Sequence, residues 1–162
     1  RSIGINRNDF MSLVQMRPEG GTAYGTLEWV AYASNAFNTM VPFYADVDET
    51  PEYLANTTGE VSTGNFYWTS RMIAAMADAS YGKSLFHVEH YQENVLAKSH
   101  ALINQYDALL ADEKDPEKQM ELKRKANRKV AEMVQKEASA TLKKVLYELS
   151  NQMKNSYARS DV

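Results

Sequence analysis

The stretch Phe66-Tyr67-Trp68-Thr69-Ser70-Arg71-Met72-Ile73-Ala74-Ala75-Met76-Ala77 is where the hydrophobic period of the chain changes. Phe66, Trp68, Met72, Ile73, Met76 and Ala77 fall at helical spacing, so they line one helix face. That helix is expected to stop near Tyr81-Gly82, where glycine suits a C-terminal cap. Ser84 then caps a second helix, with Leu85, Val88, Val95, Leu102, Tyr106 and Leu109 along its apolar stripe. Asp112-Glu113-Lys114-Asp115-Pro116 interrupts the pattern, and Asp115 followed by Pro116 is a start signal for a third. No Gly or Pro occurs from Glu117 to Val162, and Leu122, Ala126, Val130, Met133, Thr141, Val145, Leu149 and Met153 keep helical spacing. This predicts one long helix, or two broken near Glu137-Ala138-Ser139-Ala140, with fraying from Ser156 onward.

Upstream of Phe66 the chain reads as strands. Met11–Arg17 alternates loosely and ends at Pro18, and Tyr24–Ala33 is rich in aromatic residues. Glu19-Gly20-Gly21-Thr22 between them is turn chemistry, so a hairpin is the economical reading. Asn38–Ala45 is apolar and β-branched but carries Pro42, which cannot donate to a ladder; it reads as an edge strand, a bulge or a packed loop. Residues 46–65 read as a long surface connection, with Thr50 and Pro51 able to start one helical turn. The order is strands first and helices after, an α+β arrangement in one piece: residues 1–65 mainly strands and loops, residues 66–157 mainly helices.

The 162 residues, 44% hydrophobic and 24% charged, fit a globular chain and exclude disordered and collagen-like classes. No apolar run is long enough to span a bilayer, which argues against a membrane role. Cysteine is absent, so this chain holds no disulfide framework, thiolate zinc site or thiol nucleophile of its own. The net charge of −3 argues against nucleic-acid binding. It is unevenly spread: residues 1–110 carry −6 and residues 111–162 carry +3. The basic excess reads as a solvated helix face, with an RNA or membrane-surface role as the alternative.

Few constellations carry chemistry. His87 and His90 lie three apart with Glu89 and Glu93 nearby, but the zinc-protease order is missing, so solvated histidines are the default reading and no metal site is expected. The carboxylates Asp46, Asp48 and Glu49 lack calcium-loop spacing and read as a solvated turn. No nucleotide-binding fingerprint or serine-nucleophile elbow occurs, and no cofactor is implied. Polar residues embedded in apolar sequence stand out more: Ser34-Asn35-Ala36-Phe37-Asn38, and Thr69-Ser70-Arg71. Asn35 and Asn38 can donate to an oxyanion or a substrate carboxylate, and Arg71, on the apolar part of a helix, needs a carboxylate partner or an anionic ligand. The structural alternative is amides tying a loop and an arginine in an internal ion pair.

Several segments together resemble a known family. Arg1-Ser2-Ile3-Gly4-Ile5-Asn6-Arg7, Val14-Gln15-Met16-Arg17-Pro18 and Leu27–Ala33 are similar to the later part of bacterial cysteine dipeptidases of the dipeptidase A type. Asn35–Ala45 and Phe66–Arg71, with Asp78 and Tyr81, resemble it too. The resemblance covers residues 1–110 well and the tail by helical character alone. It implies an N-terminal nucleophile hydrolase about three times longer, with a four-layer αββα sandwich. In such an enzyme the cysteine thiol is activated by its own α-amino group and attacks the peptide carbonyl. The absence of Cys places that nucleophile upstream of Arg1, so the chain is expected to be a C-terminal fragment, inactive alone. Its expected partners are the missing N-terminal part, a dipeptide substrate and a second copy of itself, since a cut sheet keeps unpaired edges. The expected location is the cytoplasm. The rival readings are a non-enzymatic helical interaction module and a metal-dependent hydrolase built on His87 and His90.

Overall fold

A computed structural model describes residues 8–153. Strands β1 (Phe10–Met16), β2 (Thr26–Tyr32) and β3 (Val41–Tyr44) form an antiparallel sheet in the order β1-β2-β3. Helices follow: after α1 (Gly21–Tyr24) between β1 and β2 come α2 (Glu52–Ala55), α3 (Phe66–Ala79), α4 (Tyr81–Asp112) and α5 (Pro116–Ser150). The α+β order read from the period change at Phe66 is the order found. Ser156 to Val162, where fraying is expected, lie outside the described residues.

The β1–β2 connection is longer than a tight hairpin. Pro18–Gly20 forms a 3-10 turn and α1 adds one helical turn before β2 begins. Gly21 sits at φ 51°, a left-handed conformation that a side chain resists. At Gly25 a Cβ would press against the Gly21 carbonyl oxygen, so only glycine closes the loop. The closure is tied by Arg17 N–H donating to the Gly25 carbonyl at 2.6 Å.

Residue pairing divides the sheet into two faces. Leu27, Trp29, Pro42 and Tyr44 share one, where Trp29 packs on His100 of α4 and Tyr44 Oη donates to Asp107 of α4 at 2.8 Å. Val30, Tyr32, Val41 and Phe43 share the other, where Tyr32 packs edge-on against Phe66 and Tyr67 of α3. Helix α5 packs along β3 and touches both α3 and α4, so the helices gather on the β3 side.

The edge-strand reading of the Pro42 segment is found in β3. Backbone polar groups of alternate residues point the same way along a strand, so Pro42 and Tyr44 both aim theirs away from β2. At Pro42 no donor is wasted there. At Tyr44 the buried Asn127 side chain of α5 stands in for a neighbouring strand: Tyr44 N–H donates to its Oδ1 at 2.8 Å, and its Nδ2 donates to the Tyr44 carbonyl at 3.0 Å.

A part-buried ion pair joins the layers. Arg17 Nη1 and Nη2 donate to the two carboxylate oxygens of Asp107 at 2.6 and 3.1 Å, and Nη2 also donates to the Tyr24 carbonyl. Burial, then the bond to Asp107, pushes the Tyr44 phenol far above its ordinary range.

Two helix boundaries differ from expectation. Gly82 does not end α3; it lies inside α4, and one residue, Ser80, separates the helices. Ser80 Oγ donates to the Met76 carbonyl at 2.7 Å, while the Ser80 carbonyl accepts from Lys83 and Ser84 N–H. The second helix therefore restarts on the residue that closes the first, with Gly82 exposed in its first turn. Ser84 is accordingly a buried helical residue and caps nothing. Helix α5 runs unbroken through Ala138, whose small side chain is fully buried. Its start is as read: Asp115 Oδ1 accepts from Glu117 N–H at 3.0 Å, with Pro116 in the first turn.

The acidic turn and the basic tail meet. Asp46 accepts from Lys123 Nζ at 2.5 Å, Asp48 takes a two-point grip from Arg124 at 2.7 Å, and Glu49 accepts from Arg128 Nη1 at 2.9 Å. The solvated turn is thus also a tether, and three of the tail's cations are engaged in it. The guanidinium of Arg124 holds the exposed Asp48 carboxyl below its usual range.

Candidate functional site

A cleft of about 760 Å³ opens at the end of the sheet where β1 starts and β2 stops. Its lining comes from four segments: Asn8 and Asp9, the turn residues Ala33, Ser34, Ala36 and Phe37, one face of α3 with Arg71, Ala74, Ala75 and Asp78, and Tyr81 at the start of α4. Backbone bonds fix the relation of the first two. Ala33 N–H donates to the Asp9 carbonyl at 2.9 Å and ends the β1–β2 ladder. Ala33 itself is held at φ 70°, the one non-glycine residue with positive φ among those described. The turn then closes with Phe37 and Asn38 N–H donating to the Ser34 carbonyl, both at 3.0 Å.

Arg71 faces the cleft from the second turn of α3, and it is exposed rather than buried among the apolar residues. The outward placement follows from phase: Phe66, Ser70, Ile73 and Ala77 take the core side of α3. Its partner is the Asp9 carboxylate, to which Nη1 donates; the same Nη1 reaches Tyr67 Oη at 3.1 Å, and Tyr67 Oη donates to Asp9 Oδ2 at 2.8 Å. The guanidinium also lies over the rings of Tyr67 and Trp68, 5.5 and 5.7 Å from their centres. Partial desolvation works against its charge, but the Tyr67 and Asp9 contacts outweigh this and hold its pKa above the ordinary value. Both of these hydrogen bonds use Nη1. The Nε and Nη2 edge has no partner among the described residues, which leaves a two-point fork of the kind that matches a carboxylate.

Asn38 is buried, and its Nδ2 donates to the Ala33 carbonyl at 3.0 Å and to Asn35 Oδ1 at 3.4 Å. Its own carbonyl accepts from Gln92 Nε2 of α4 at 2.8 Å. It holds the turn in shape. Asn35 is half-buried beside the lining residues Ser34 and Ala36, and its Nδ2 carries no partner among the described residues. The structure therefore brings Asn35 and Asn38 together in one turn at the cleft and places Arg71 across it on α3.

Sequence reasoning missed Asp9, Tyr67 and the position of Asp78 as part of this site. The signal for two of them was present: Tyr67, Arg71 and Asp78 stand at i, i+4 and i+11, one side of one helix. Asp9 had no such signal, because a strand start and a helix meet only in the folded chain. The histidines do not assemble: His87 Nε2 lies 3.4 Å from Glu148 Oε1, and His90 packs 4.4 Å from the Phe86 ring. Among the described residues, no group of three or more His, Asp or Glu converges. No described helix is long and apolar enough to cross a membrane.

The model of Peptidase family C69 matches residues 1–94, more than half of the chain. The chain belongs to peptidase family C69. Among its relatives, a probable dipeptidase A of Streptococcus pyogenes is 41% identical over 99% of this chain and 33% of its own length. A dipeptidase of Bifidobacterium longum is 34% identical over 99% of this chain and 37% of its own length. A probable dipeptidase B of Lactococcus lactis is 33% identical over 66% of this chain and 23% of its own. This C69 chain thus spans about a third of the length of the curated relatives it matches.

Proposed function

We propose that the chain is the C-terminal part of a cytoplasmic dipeptidase, in which it supplies sheet, helical cover and one wall of the substrate cleft. The observation that carries this reading is the 41% identity to a probable dipeptidase A across 99% of the chain. It is supported by a cleft lined by Arg71, whose Nε and Nη2 have no partner among the described residues.

In this reading a cysteine at the head of the full-length protein attacks the peptide carbonyl. Its own α-amino group takes the thiol proton and returns it to the leaving amine; water then releases the acyl group. No residue of this chain replaces that thiol, since the chain has no cysteine. Its contribution is substrate binding. Arg71 takes the dipeptide carboxylate on Nε and Nη2, and Asn35 offers its amide to an oxygen of the substrate, with Asn38 keeping the turn in place. The missing N-terminal part packs on β1, where a second sheet of an αββα sandwich would cover Phe10, Val14 and Met16.

The test is hydrolysis of free dipeptides by the full-length protein, with and without a thiol-blocking reagent. Turnover abolished by the reagent is the expected result. The 162 residues alone are expected to hydrolyse nothing, and turnover by them would overturn the proposal.

A further inference from the structure

Resting on that reading, we infer that Asp78 binds the ammonium group of a free dipeptide, opposite Arg71 at its carboxylate, so that the cleft selects substrates by length and by their two free ends. Arg71 and Asp78 both line the cleft, on one side of α3, seven residues apart. Two helical turns set their Cα atoms about 10.5 Å apart. Arg71 reaches back one turn to Tyr67, which carries its guanidinium up to about 5 Å further from Asp78.

A dipeptide fits that span. Two extended residues cover about 7 Å. An ion-pair contact adds roughly 3 Å at each end, for a total of about 13 Å. Between the two charges α3 presents only the methyl groups of Ala74 and Ala75, so nothing bulky blocks a peptide lying along it. Phe37 and Tyr81, packed edge to face at 6.1 Å, close the Asp78 end with apolar surface.

The two charged groups are also poised differently. Arg71 is anchored through Nη1 to Asp9, and its other edge meets no partner among the described residues. Asp78 is exposed and makes no hydrogen bond or ion pair among the described residues. An acidic side chain without a partner among the described residues, facing a cleft with a fixed cation two turns away, matches the opposite charges of a zwitterion. An N-acylated peptide would lose the Asp78 contact, and a tripeptide would push one of its ends past its partner.

The experiment uses the full-length protein and four substrates: a free dipeptide, its N-acetyl derivative, its C-terminal amide and a tripeptide with the same first two residues. The unmodified enzyme is expected to prefer the free dipeptide over the N-acetyl form by about ten-fold or more in kcat/KM. Asp78→Asn should raise KM for the free dipeptide about ten-fold, leave the N-acetyl form unchanged and so erase the preference. Preference over the C-terminal amide should persist in Asp78→Asn and disappear in Arg71→Gln. Equal discrimination against the N-acetyl form before and after Asp78→Asn would overturn the inference while leaving a dipeptidase. A full-length protein that cleaves none of the four removes both this inference and the reading beneath it. Unchanged thermal unfolding of Asp78→Asn is the control, and the side chain's exposure makes that the expected result.

Discussion

Strands β1 and β3 flank the same central strand in the same antiparallel sense, yet their surroundings differ at every residue. All four residues of β3 are buried, with Tyr44 only 1% exposed. In β1, six of seven residues are exposed, and Met16 reaches 79%. The β3 edge is finished by a proline that needs no partner and by an asparagine that imitates a strand. Among the described residues the β1 edge has neither device, and β1 packs chiefly on β2. Val14 and Met16 on one side, and Leu13 on the other, meet solvent. An apolar strand this exposed, with no further strand on its outer edge among the described residues, is a surface for another polypeptide. The contrast shows which side of the sheet this chain completes by itself.

The contrast can be broken from the closed side. Asp107→Ala removes the acceptor shared by Arg17 and Tyr44 and should destabilise the isolated chain by about 3 kcal/mol in denaturant unfolding. Asn127→Ala strips two buried backbone groups of Tyr44 of their partner and should cost about 2 kcal/mol in the same assay. On the open side the same measurement should barely move: Val14→Lys is expected to change stability by less than about 0.5 kcal/mol. Its effect belongs to assembly. The isolated chain should elute larger than a monomer in size exclusion, and Val14→Lys with Met16→Lys should return it to monomer mass; a clean monomer before substitution would count against β1 as a pairing surface.

The smallest effect concerns the tether between residues 46–49 and α5. Arg124 lowers the folded-state pKa of Asp48 and of Glu121, in each case first through its hydrogen bond. A lowered folded pKa means the ion pairs stabilise fully above the ordinary carboxylate value of about 4. The contribution is lost as pH falls through the lower folded values. Melting temperature should stay flat from neutrality to about pH 5 and decline below it, and Arg124→Gln should make that decline shallower. Added salt should mimic the substitution at neutral pH, because these charges are exposed.

Much of this organisation is written in local sequence. The switch of period at Phe66, the Asp115-Pro116 start of α5 and the strand carrying Pro42 depend on neighbours a few residues apart, and each is found where its pattern stands. The exact buried stripe was less legible. Leu109 looked like a core residue and is exposed, while Leu110 beside it is fully buried, because α4 must face both the sheet and α5. Lys123, part of the basic excess read as a solvated face, is buried, and so is the polar Asn127, because one finds Asp46 and the Thr22 carbonyl and the other finds the β3 edge. Pairings 77 and 83 residues apart leave no trace in a local pattern. The cleft was legible in part: Asn35, Asn38 and Arg71 stood out as polar groups in apolar sequence, whereas the pairing of Arg71 with Asp9 is a property of the closed chain.

Ala33 deserves a last consequence. An alanine kept in a left-handed backbone carries about 1 kcal/mol that glycine would not. The Asn38 amide and the Asp9 carbonyl hold it there from both of its own polar groups. The chain thus tolerates a locally unfavourable twist at the cleft wall. Ala33→Gly should therefore relieve that twist while leaving the turn freer to move, two effects that in this corner of the molecule pull against each other.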